Sequence, residues 1–216
     1  KLRSQISKKD FKPHFNGNIA LRAKLKKYDK DNISIFMGPN FHFVIYPVNQ
    51  VPEYNFVAII KRKLSFKELK ENSILNSDAF LKSIQALISK KSGLNFENLA
   101  DLKCFPVYVS PRLPLIKYPN TFLSGDALFT FPPSFAQGAS QSIETANAIY
   151  ESITSSNNIY KEKIDKILLV NKRSKLNHFA FHLSNPILTF FRNIILKKLS
   201  INEKFLESYL GKIYRN

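Results

Sequence analysis

The segment from Ser124 to Ala146 constrains the fold of this chain more than any other part of its sequence. It reads Ser-Gly-Asp-Ala-Leu-Phe-Thr-Phe-Pro-Pro-Ser-Phe-Ala-Gln-Gly-Ala-Ser-Gln-Ser-Ile-Glu-Thr-Ala. The apolar run that begins at Thr121 predicts a short strand ending in Gly125-Asp126, and Pro132-Pro133 predict a loop. Helical periodicity resumes at about Ala139. We therefore expect a strand, a proline-rich loop and a helix in direct succession.

Such a succession brings together groups that suit a flat, anionic ligand carrying hydroxyls. A carboxylate at a strand end, here Asp126, can accept hydrogen bonds from ligand hydroxyls. Gly138 lets the backbone approach a flat ligand because it has no side chain to collide. The helix that follows offers unpaired N–H groups and a partial positive charge. The two prolines fix the dihedrals of the loop and lower the entropy lost on ordering it.

The rest of the chain predicts a sheet followed by helices. Turn residues separate four β-rich runs, which we expect to form an antiparallel meander: Asn18 to Lys27, Ile33 to Met37, Phe41 to Val48 and Asn55 to Lys61. The turns are Asp29 to Asn32, Gly38 to Asn40 and Asn49 to Glu53. Another strand is predicted at Cys104 to Val109. Helices are predicted at Ser65 to Leu69, Ser77 to Lys90 (capped by Ser77 and stopped by Gly93), Tyr160 to Leu183, Pro186 to Leu199 and Asn202 to Ile213.

These elements predict a mixed α/β (α+β) chain of three parts. Residues 1–118 would form a mixed or antiparallel sheet lobe with one helix, residues 119–158 the Gly-Asp segment with its helix, and residues 159–216 the C-terminal helices. The sequence begins at Lys1 and its only methionine is Met37, so we expect it to be the C-terminal part of a longer protein.

Charge and composition favour some functional classes over others. The net charge is +17 with a pI near 9.9, but lysines are scattered along the chain, and nucleic-acid-binding motifs are missing. We therefore expect no nucleic-acid partner. Cys104 is the only cysteine, which excludes an intramolecular disulfide and fits a reducing, cytoplasmic compartment.

No metal site is predicted from the histidines. The pair His178 and His182 has the i, i+4 spacing of a zinc site, but no accompanying glutamate follows that pattern. We interpret the two as one edge of an aromatic helix face.

As a whole, the string from Ser124 to Ala146 resembles the second flavin-binding motif of class A FAD-dependent aromatic monooxygenases, the flavoprotein hydroxylases typified by para-hydroxybenzoate, salicylate and ubiquinone-biosynthesis hydroxylases. The usual form of that motif is Gly-Asp-Ala-Ala-His, a proline-rich loop, Gly-Gln-Gly-Ala-Asn and a helix with Glu-Asp-Ala. Weaker similarity covers most of the chain, including Lys1 to Ser4, Asn18 to Arg22 and His42 to Ile60.

The resemblance implies an FAD-binding domain whose N-terminal Rossmann portion is missing here, with the sheet lobe covering the flavin ring. It implies that Asp126 meets the ribitol chain, that Gly125 and Pro133 lie at the flavin, and that Gln137, Gly138, Ala139 and Ser140 present backbone amides to the pyrimidine edge. A helix end there would stabilise the reduced flavin by roughly 0.3 to 2 kcal/mol.

The implied activity is hydroxylation of a small aromatic or prenylated phenolic substrate with O2 and NADH or NADPH, by way of a flavin peroxide. Strands from Ile35 to Ile60 would then form either a dry wall around the flavin or ordinary core. Tyr46, His42, Tyr108 and Arg112 have suitable chemistry for activating a substrate, but nothing in the sequence selects one, so the catalytic residues stay unknown.

Three positions depart from the usual motif. Leu128-Phe129 replace Ala-His, Ala136 replaces the first glycine of Gly-Gln-Gly, and Ser140 replaces the asparagine. Ala136 would hinder a left-handed backbone if the loop needs one, and Ser140 shortens any side-chain contact with the ring.

Two other functional classes stay open at this point. The chain could be another FAD-dependent oxidoreductase on the same fold, such as a dehydrogenase or halogenase, or a basic, non-catalytic module for anionic membranes or nucleic acid. The stretch from Pro186 to Leu199, with bulky apolar residues beside lysines, suits either packing on the parent domain or peripheral contact with a membrane surface.

Overall fold

The computed structural model describes residues 2–9, 12–25, 28, 32–48, 53–92, 96, 99–118, 120–155 and 159–214. These residues form two compact units. Unit 1 comprises residues 1–14, 108–180 and 185–216, and unit 2 comprises residues 15–107 and 181–184. The helix stop predicted at Gly93, and the turns predicted at residues 29–31 and 49–52, lie outside the described residues. The predicted domain boundaries at residues 118 and 158 stay predictions.

Unit 2 is built on a five-stranded sheet, and the mixed α/β class predicted from the sequence is confirmed. Its strands are β2 (His14–Leu25), β3 (Ser34–Gly38), β4 (Phe41–Val48), β5 (Glu53–Lys61) and β6 (Leu99–Val109), where β1 (Ser7–Lys9) belongs to unit 1. Their order across the sheet is β3-β4-β5-β2-β6. The sheet strands predicted from the sequence are all present.

The predicted order of a simple meander is wrong. β2 pairs antiparallel with β5, from Asn18 opposite Lys61 to Leu25 opposite Tyr54, rather than with the next strand along the chain. β3 and β4, and β4 and β5, do form successive antiparallel pairs. Strand order depends on long-range pairing and burial, which local turn residues do not specify.

One face of this sheet forms the core of unit 2. Alternate residues of β4 and β5, including Phe43, Ile45 and Phe56, are buried together with Phe80 and Ile84 of the helix α4 (Asp78–Ser92). Ser77 caps that helix as predicted, because its Oγ accepts a hydrogen bond from the backbone N of Phe80 at 3.4 Å. The short helices α2 (Phe66–Lys70) and α3 (Asn72–Leu75) precede it, and α2 has the capping box Ser65/Glu68.

Unit 1 is mostly helical. Its helices are α1 (Leu2–Ile6), α5 (Gly138–Thr154), α6 (Ile159–Phe181), α7 (Pro186–Ser200), α8 (Glu203–Leu206) and α9 (Lys212–Tyr214), with a π-helical turn at Glu207–Gly211. A small ribbon joins β1 to β7 (Leu115–Ile116). No described helix combines the length and the apolar character required to cross a membrane.

The interpretation of His178 and His182 as one edge of a helix face is wrong. α6 ends at Phe181, so His182 lies just beyond it. The chain must leave the helix here because Asn185 caps α7 through its side chain, and Pro186, which lacks an N–H, begins that helix. Helix periodicity alone does not reveal this break.

Candidate functional site

The backbone at Gly125 adopts a conformation that favours glycine. Its φ is +58°, and a Cβ placed there would lie 3.1 Å from the Ser142 Oγ on α5. Ser124 also donates a hydrogen bond from its Oγ to the carbonyl of Ser142 at 2.9 Å. The Gly-Asp turn is therefore held closely against the first turns of α5, which brings the two halves of the motif together.

The segment before Gly125 is extended but is not a strand, so the predicted strand at Thr121 to Ser124 is wrong. Ser124 has extended dihedrals (φ −132°, ψ 163°), and a 3₁₀ turn, Gly125–Ala127, follows it. The hydroxyl of Tyr160 on α6 accepts from the backbone N of Leu123 at 3.3 Å and donates to its carbonyl at 2.9 Å. A side chain therefore satisfies backbone groups that a neighbouring strand would satisfy in a sheet.

Tyr160 is itself partly buried at this contact. Burial raises the pKa of the Tyr160 hydroxyl, and the hydrogen bond with the Leu123 backbone lowers it to a smaller extent. The phenol therefore stays protonated and keeps the donor that the Leu123 carbonyl needs.

The proline loop places Ala136 in the left-handed region, at φ 53° and ψ 26°. This is the position where the motif usually has glycine, and the sequence indicated a conflict here. A non-glycine residue in this region costs roughly 1 to 2 kcal/mol. The loop is anchored nearby, because the Ser134 Oγ lies 3.0 Å from the His178 Nδ1 on α6.

The N-terminus of α5 is the second half of the site. Gly138 and Ala139 are exposed, Ser140 is half-buried, and Gln137 is 5% exposed. The amides of Gly138, Ala139 and Ser140 precede the first bond of the helix, in which the Gln141 N donates to the Gln137 carbonyl at 2.9 Å. A Cβ at Gly138 would meet no atom within 4 Å. Packing of the chain therefore does not require glycine at this position.

A small cleft of about 170 Å³ joins the two halves of the motif. Gly125 and Gly138 both line it, together with Gln141, Ser142 and Thr145 of α5 and four apolar residues, Leu128, Phe129, Phe131 and Ile167. Most of this volume is open to solvent, and the enclosed space has room for about one water molecule, so the cleft itself does not enclose a ligand.

Sequence reasoning missed the three residues on α5 that line this cleft, Gln141, Ser142 and Thr145. Their spacing from Gly138, at three, four and seven residues, places them on one helix face. This spacing could have been used to predict that the three residues lie on the same helix face as Gly138. Gln141 is 2% exposed, and its Oε1 has no hydrogen-bond partner within the described part of the chain, so a polar ligand group at the cleft would satisfy it.

Asp126 is exposed beside the cleft. Among the residues that the structure describes, none forms a hydrogen bond or an ion pair with its carboxylate. Pro133, at the start of the 3₁₀ turn Pro133–Phe135, is exposed as well. Both side chains are therefore accessible to a ligand.

Glu144 corresponds to the glutamate of the usual Glu-Asp-Ala. Its carboxylate pairs with two lysines of the chain itself. Its carboxylate lies 2.8 Å from the Lys163 Nζ and 2.9 Å from the Lys166 Nζ, both on α6. Burial alone would raise the pKa of Glu144, but the hydrogen bonds and charges of the two lysines outweigh it, and the pKa is lowered. This contact fixes α5, and thus its N-terminus, on α6.

The departure Leu128-Phe129 is explained by packing. Leu128 is 3% exposed and Phe129 is 2% exposed, and both belong to an apolar cluster with Leu123 and Ile167. Two large apolar side chains below the Gly-Asp turn therefore anchor it to the core of unit 1, where the usual motif has alanine and histidine.

A buried arginine also supports the turn. Arg3 is 7% exposed and donates to the Ser110 Oγ and to the Arg112 carbonyl, each at 3.1 Å. The Ser110 Oγ accepts from the Thr130 N at 3.0 Å, and the Ser110 N donates to the Thr130 carbonyl at 3.0 Å. The N-terminal helix is thereby connected to the loop that follows Asp126.

The four residues considered for substrate activation lie in different places. In unit 2, His42 is buried, with its Nδ1 2.8 Å from the His182 Nε2, and Tyr46 accepts from the Asn55 Nδ2 at 3.3 Å. In unit 1, Tyr108 and Arg112 are exposed. His42 and Tyr46 share the face of β4 opposite to the core, because they alternate with Phe43 and Ile45.

Comparison with known proteins shows which proteins share the fold of this chain. No family model matches the sequence, and no curated protein sequence matches it. Solved structures do match. Klebsiella pneumoniae HpxO, complexed with FAD and uric acid, superposes with a TM-score of 0.71 at 14% identity, over 99% of this chain and 57% of that protein.

Two further solved structures also superpose on this chain. A salicylate hydroxylase substrate complex has a TM-score of 0.59 at 13% identity, over 99% of this chain and 60% of the other. The p-nitrophenol 4-monooxygenase PnpA from Pseudomonas putida DLL-E4 has a TM-score of 0.64 at 11% identity, over 94% and 55%. The chain therefore spans somewhat more than half the length of these proteins.

The chain has the fold of the class A flavoprotein hydroxylases, as the resemblance of residues 124–146 predicted. At these identities the likeness concerns the fold.

Proposed function

We propose that this chain belongs to an FAD-dependent monooxygenase and that residues 125–146 hold its flavin. The observation that carries the proposal is the convergence of Gly125 and the exposed N-terminus of α5 on one cleft. Gly138 supports it further, because a side chain there would fill open space, whereas a flat ligand needs that space.

The residues of the site suit a flavin by their chemistry. Asp126 would accept hydrogen bonds from ribitol hydroxyls, and Pro133 would contact the ring. The amides at Gln137, Gly138, Ala139 and Ser140 would donate to the pyrimidine edge, where the partial charge of the helix N-terminus stabilises a negative ring. When bound, the flavin supplies the redox chemistry between NADH or NADPH, O2 and the substrate.

The substrate is proposed to be a small aromatic or phenolic compound, including prenylated phenols. HpxO is complexed with uric acid, and the second comparison structure is a salicylate hydroxylase. The sheet face that carries His42, Val44 and Tyr46 also carries Val57 and Ile59 by strand register. His42 and Ile59 are buried, whereas Val44, Tyr46, Val57 and Asn55, which lies opposite Tyr46, are half-buried. We propose the half-buried part of this face as a substrate wall that would exclude water and orient a phenol.

The experiment uses the complete natural polypeptide that carries this chain. Asp126→Ala should weaken flavin affinity about tenfold or more, because a charge-assisted hydrogen bond contributes about 1.5 to 3 kcal/mol. Phenol-stimulated oxidation of NADH or NADPH should fall with the flavin content. Asp165→Ala, which removes an exposed carboxylate on α6, is the matched control and should change neither.

Two results would contradict the proposal. One is unchanged flavin affinity in Asp126→Ala. The other is a natural protein that binds no flavin but binds anionic polymers in a salt-dependent way, since that would assign the chain to the class of basic, non-catalytic modules.

A further inference from the structure

The helix α7 of unit 1 has its apolar side turned outward. Six of its large apolar side chains are between 39% and 67% exposed: Ile187, Leu188, Phe190, Phe191, Ile194 and Ile195. Its only buried residue is a cation, Arg192, at 7% exposed. Surface helices normally bury their apolar stripe and expose their charged residues. The helix α7 shows the opposite arrangement.

Arg192 fixes this orientation. Its guanidinium donates from NH1 to the carbonyl of Ala180, at the end of α6, at 3.1 Å. It also donates from Nε and NH2 to the Oδ1 of Asn193, at 3.1 and 2.9 Å. Asn185 caps the first turn through Ile187 N and Leu188 N. The bond to Ala180 therefore connects α7 to the end of α6, whereas the bonds of Asn185 and Asn193 are local to α7.

The sequence of α7 and of the residues before it is cationic. Acidic residues follow only beyond it, at Glu203 and Glu207. No Asp or Glu occurs from residue 166 to residue 202, whereas seven Lys and Arg residues do. Two of them, Lys197 and Lys198, lie exposed in the last turn of α7, next to Ile194 and Ile195. An apolar face bordered by cations complements a surface that is apolar inside and anionic outside.

The helix is too short to cross a bilayer. Fifteen residues span about 22 Å at 1.5 Å per residue, whereas the hydrocarbon core is about 30 Å thick. Its geometry therefore suits a position parallel to the surface, with the apolar side chains below the headgroups and the lysines at their level.

We propose that α7 docks flat on an anionic membrane surface. Two copies of this face would place like charges against each other, which disfavours self-association. The proposal does not depend on the flavin site, because none of its residues takes part in that site.

The test uses the complete natural polypeptide. The part given by this chain contains no tryptophan, so an engineered tryptophan in it is read as the difference between the emission of the variant and that of the unsubstituted protein. Ile195→Trp should shift its emission to the blue when phosphatidylcholine vesicles containing phosphatidylserine are added, and should shift much less with phosphatidylcholine alone. Phe66→Trp is the matched control, since Phe66 is 73% exposed on α2 of unit 2, and its emission should not move.

Vesicle sedimentation then measures separately how much the lysines and the apolar side chains of α7 contribute to membrane binding. Lys197→Gln with Lys198→Gln should lower binding about 25-fold, at about 1 kcal/mol or about fivefold per lysine. Phe190→Ser with Phe191→Ser should lower it at least tenfold, because each phenylalanine loses its apolar burial. The control Lys67→Gln with Lys70→Gln removes two exposed lysines of α2 and should leave binding unchanged.

Four results would overturn the proposal. The first two are an Ile195→Trp emission that does not move with anionic vesicles, and equal loss of binding in the α2 and α7 lysine variants. The third is an Ile195→Trp emission that is already blue-shifted in the complete polypeptide without vesicles, which would assign the face to packing on another part of that polypeptide. The fourth is concentration-dependent self-association that Phe190→Ser with Phe191→Ser abolishes while vesicle binding is absent, which would assign the face to a second copy of the chain.

Discussion

At the scale of single residues, Ala136 has a backbone conformation that its side chain disfavours. Its φ of 53° lies in the left-handed region. Ala136→Gly should therefore raise the free energy of unfolding by about 0.5 to 1 kcal/mol, as the relief of strain exceeds the extra entropy of glycine. Urea denaturation measures the change.

Ala139→Gly is the control for this prediction, because the same substitution in the same motif should have the opposite effect on stability. Ala139 lies inside the first turn of α5 with helical neighbours, so glycine there should lower the free energy of unfolding by up to about 1 kcal/mol. If both alanine-to-glycine changes destabilise the protein, the strain assigned to Ala136 is wrong.

Cys104 is the second residue for which we make a prediction, and it concerns the reactivity of its thiol. Burial raises the pKa of its thiol to about 12, with a small opposing effect of the Arg62 charge. The thiol should resist alkylation at pH 8 in the folded protein and react in urea. Because the folded pKa lies above the unfolded value near 9.0, its contribution to stability is complete below pH 9 and is lost as the pH rises towards 12. Rapid alkylation at pH 8 without denaturant would contradict this.

At the scale of elements, the contact of Glu144 with Lys163 and Lys166 holds α5 on α6. Glu144→Gln should lower the free energy of unfolding by about 1 to 2 kcal/mol at pH 7, a value reduced for partial exposure. Since the pKa of Glu144 is lowered, its contribution is present above the unfolded pKa and disappears as the pH falls through the lower folded pKa. The difference between wild type and variant should therefore shrink in acid.

The same helix offers a control for this contact. Glu151 accepts a hydrogen bond from its helix neighbour Asn147 at 2.8 Å and lies in an exposed environment. Glu151→Gln should change stability by less than about 0.5 kcal/mol. An equal effect of the two glutamine substitutions, or a Glu144→Gln effect that persists in acid, would show that the lysine contacts do not stabilise the protein.

Local sequence patterns predicted the elements well where local forces decide them. β4 and the start of α7 agree with the prediction, because alternation, turn residues and Pro186 act within a few residues. Thr121 to Ser124 has an apolar, strand-like composition, but without a paired neighbour it is only an extended segment held by Tyr160. The first residues of β6 were missed, since their strand character depends on pairing in the sheet.

The candidate site could be predicted from the sequence as a motif, but the surface that it forms could not. Asp126, Gly138 and their neighbours were selected from their order in the chain, and their contacts with a flavin stay predictions. The close approach of Gly125 to Ser142, and the cleft lined by Gln141 and Thr145, follow from how the turn packs on α5. Packing of this kind depends on tertiary contacts that sequence spacing only constrains.

At the scale of the whole molecule, charge and apolar surface are distributed unevenly. The net charge of +17 is spread along the chain, but the stretch from residue 166 to residue 202 lacks acidic residues altogether. That stretch contains α7, whose apolar residues face outward. Net charge alone therefore describes this protein poorly, and the position of the lysines next to apolar surface is the more informative property.

Gly138→Val tests most directly the flavin site that we propose at the N-terminus of α5. A side chain at this position meets open space in the described structure, so the variant should fold. We predict that the natural protein shows visible flavin absorption after reconstitution with FAD and that the variant does not. Tyr150→Val, at an exposed position of the same helix outside residues 125–146, should keep it. A Gly138→Val protein that binds FAD as well as the wild type would contradict the account.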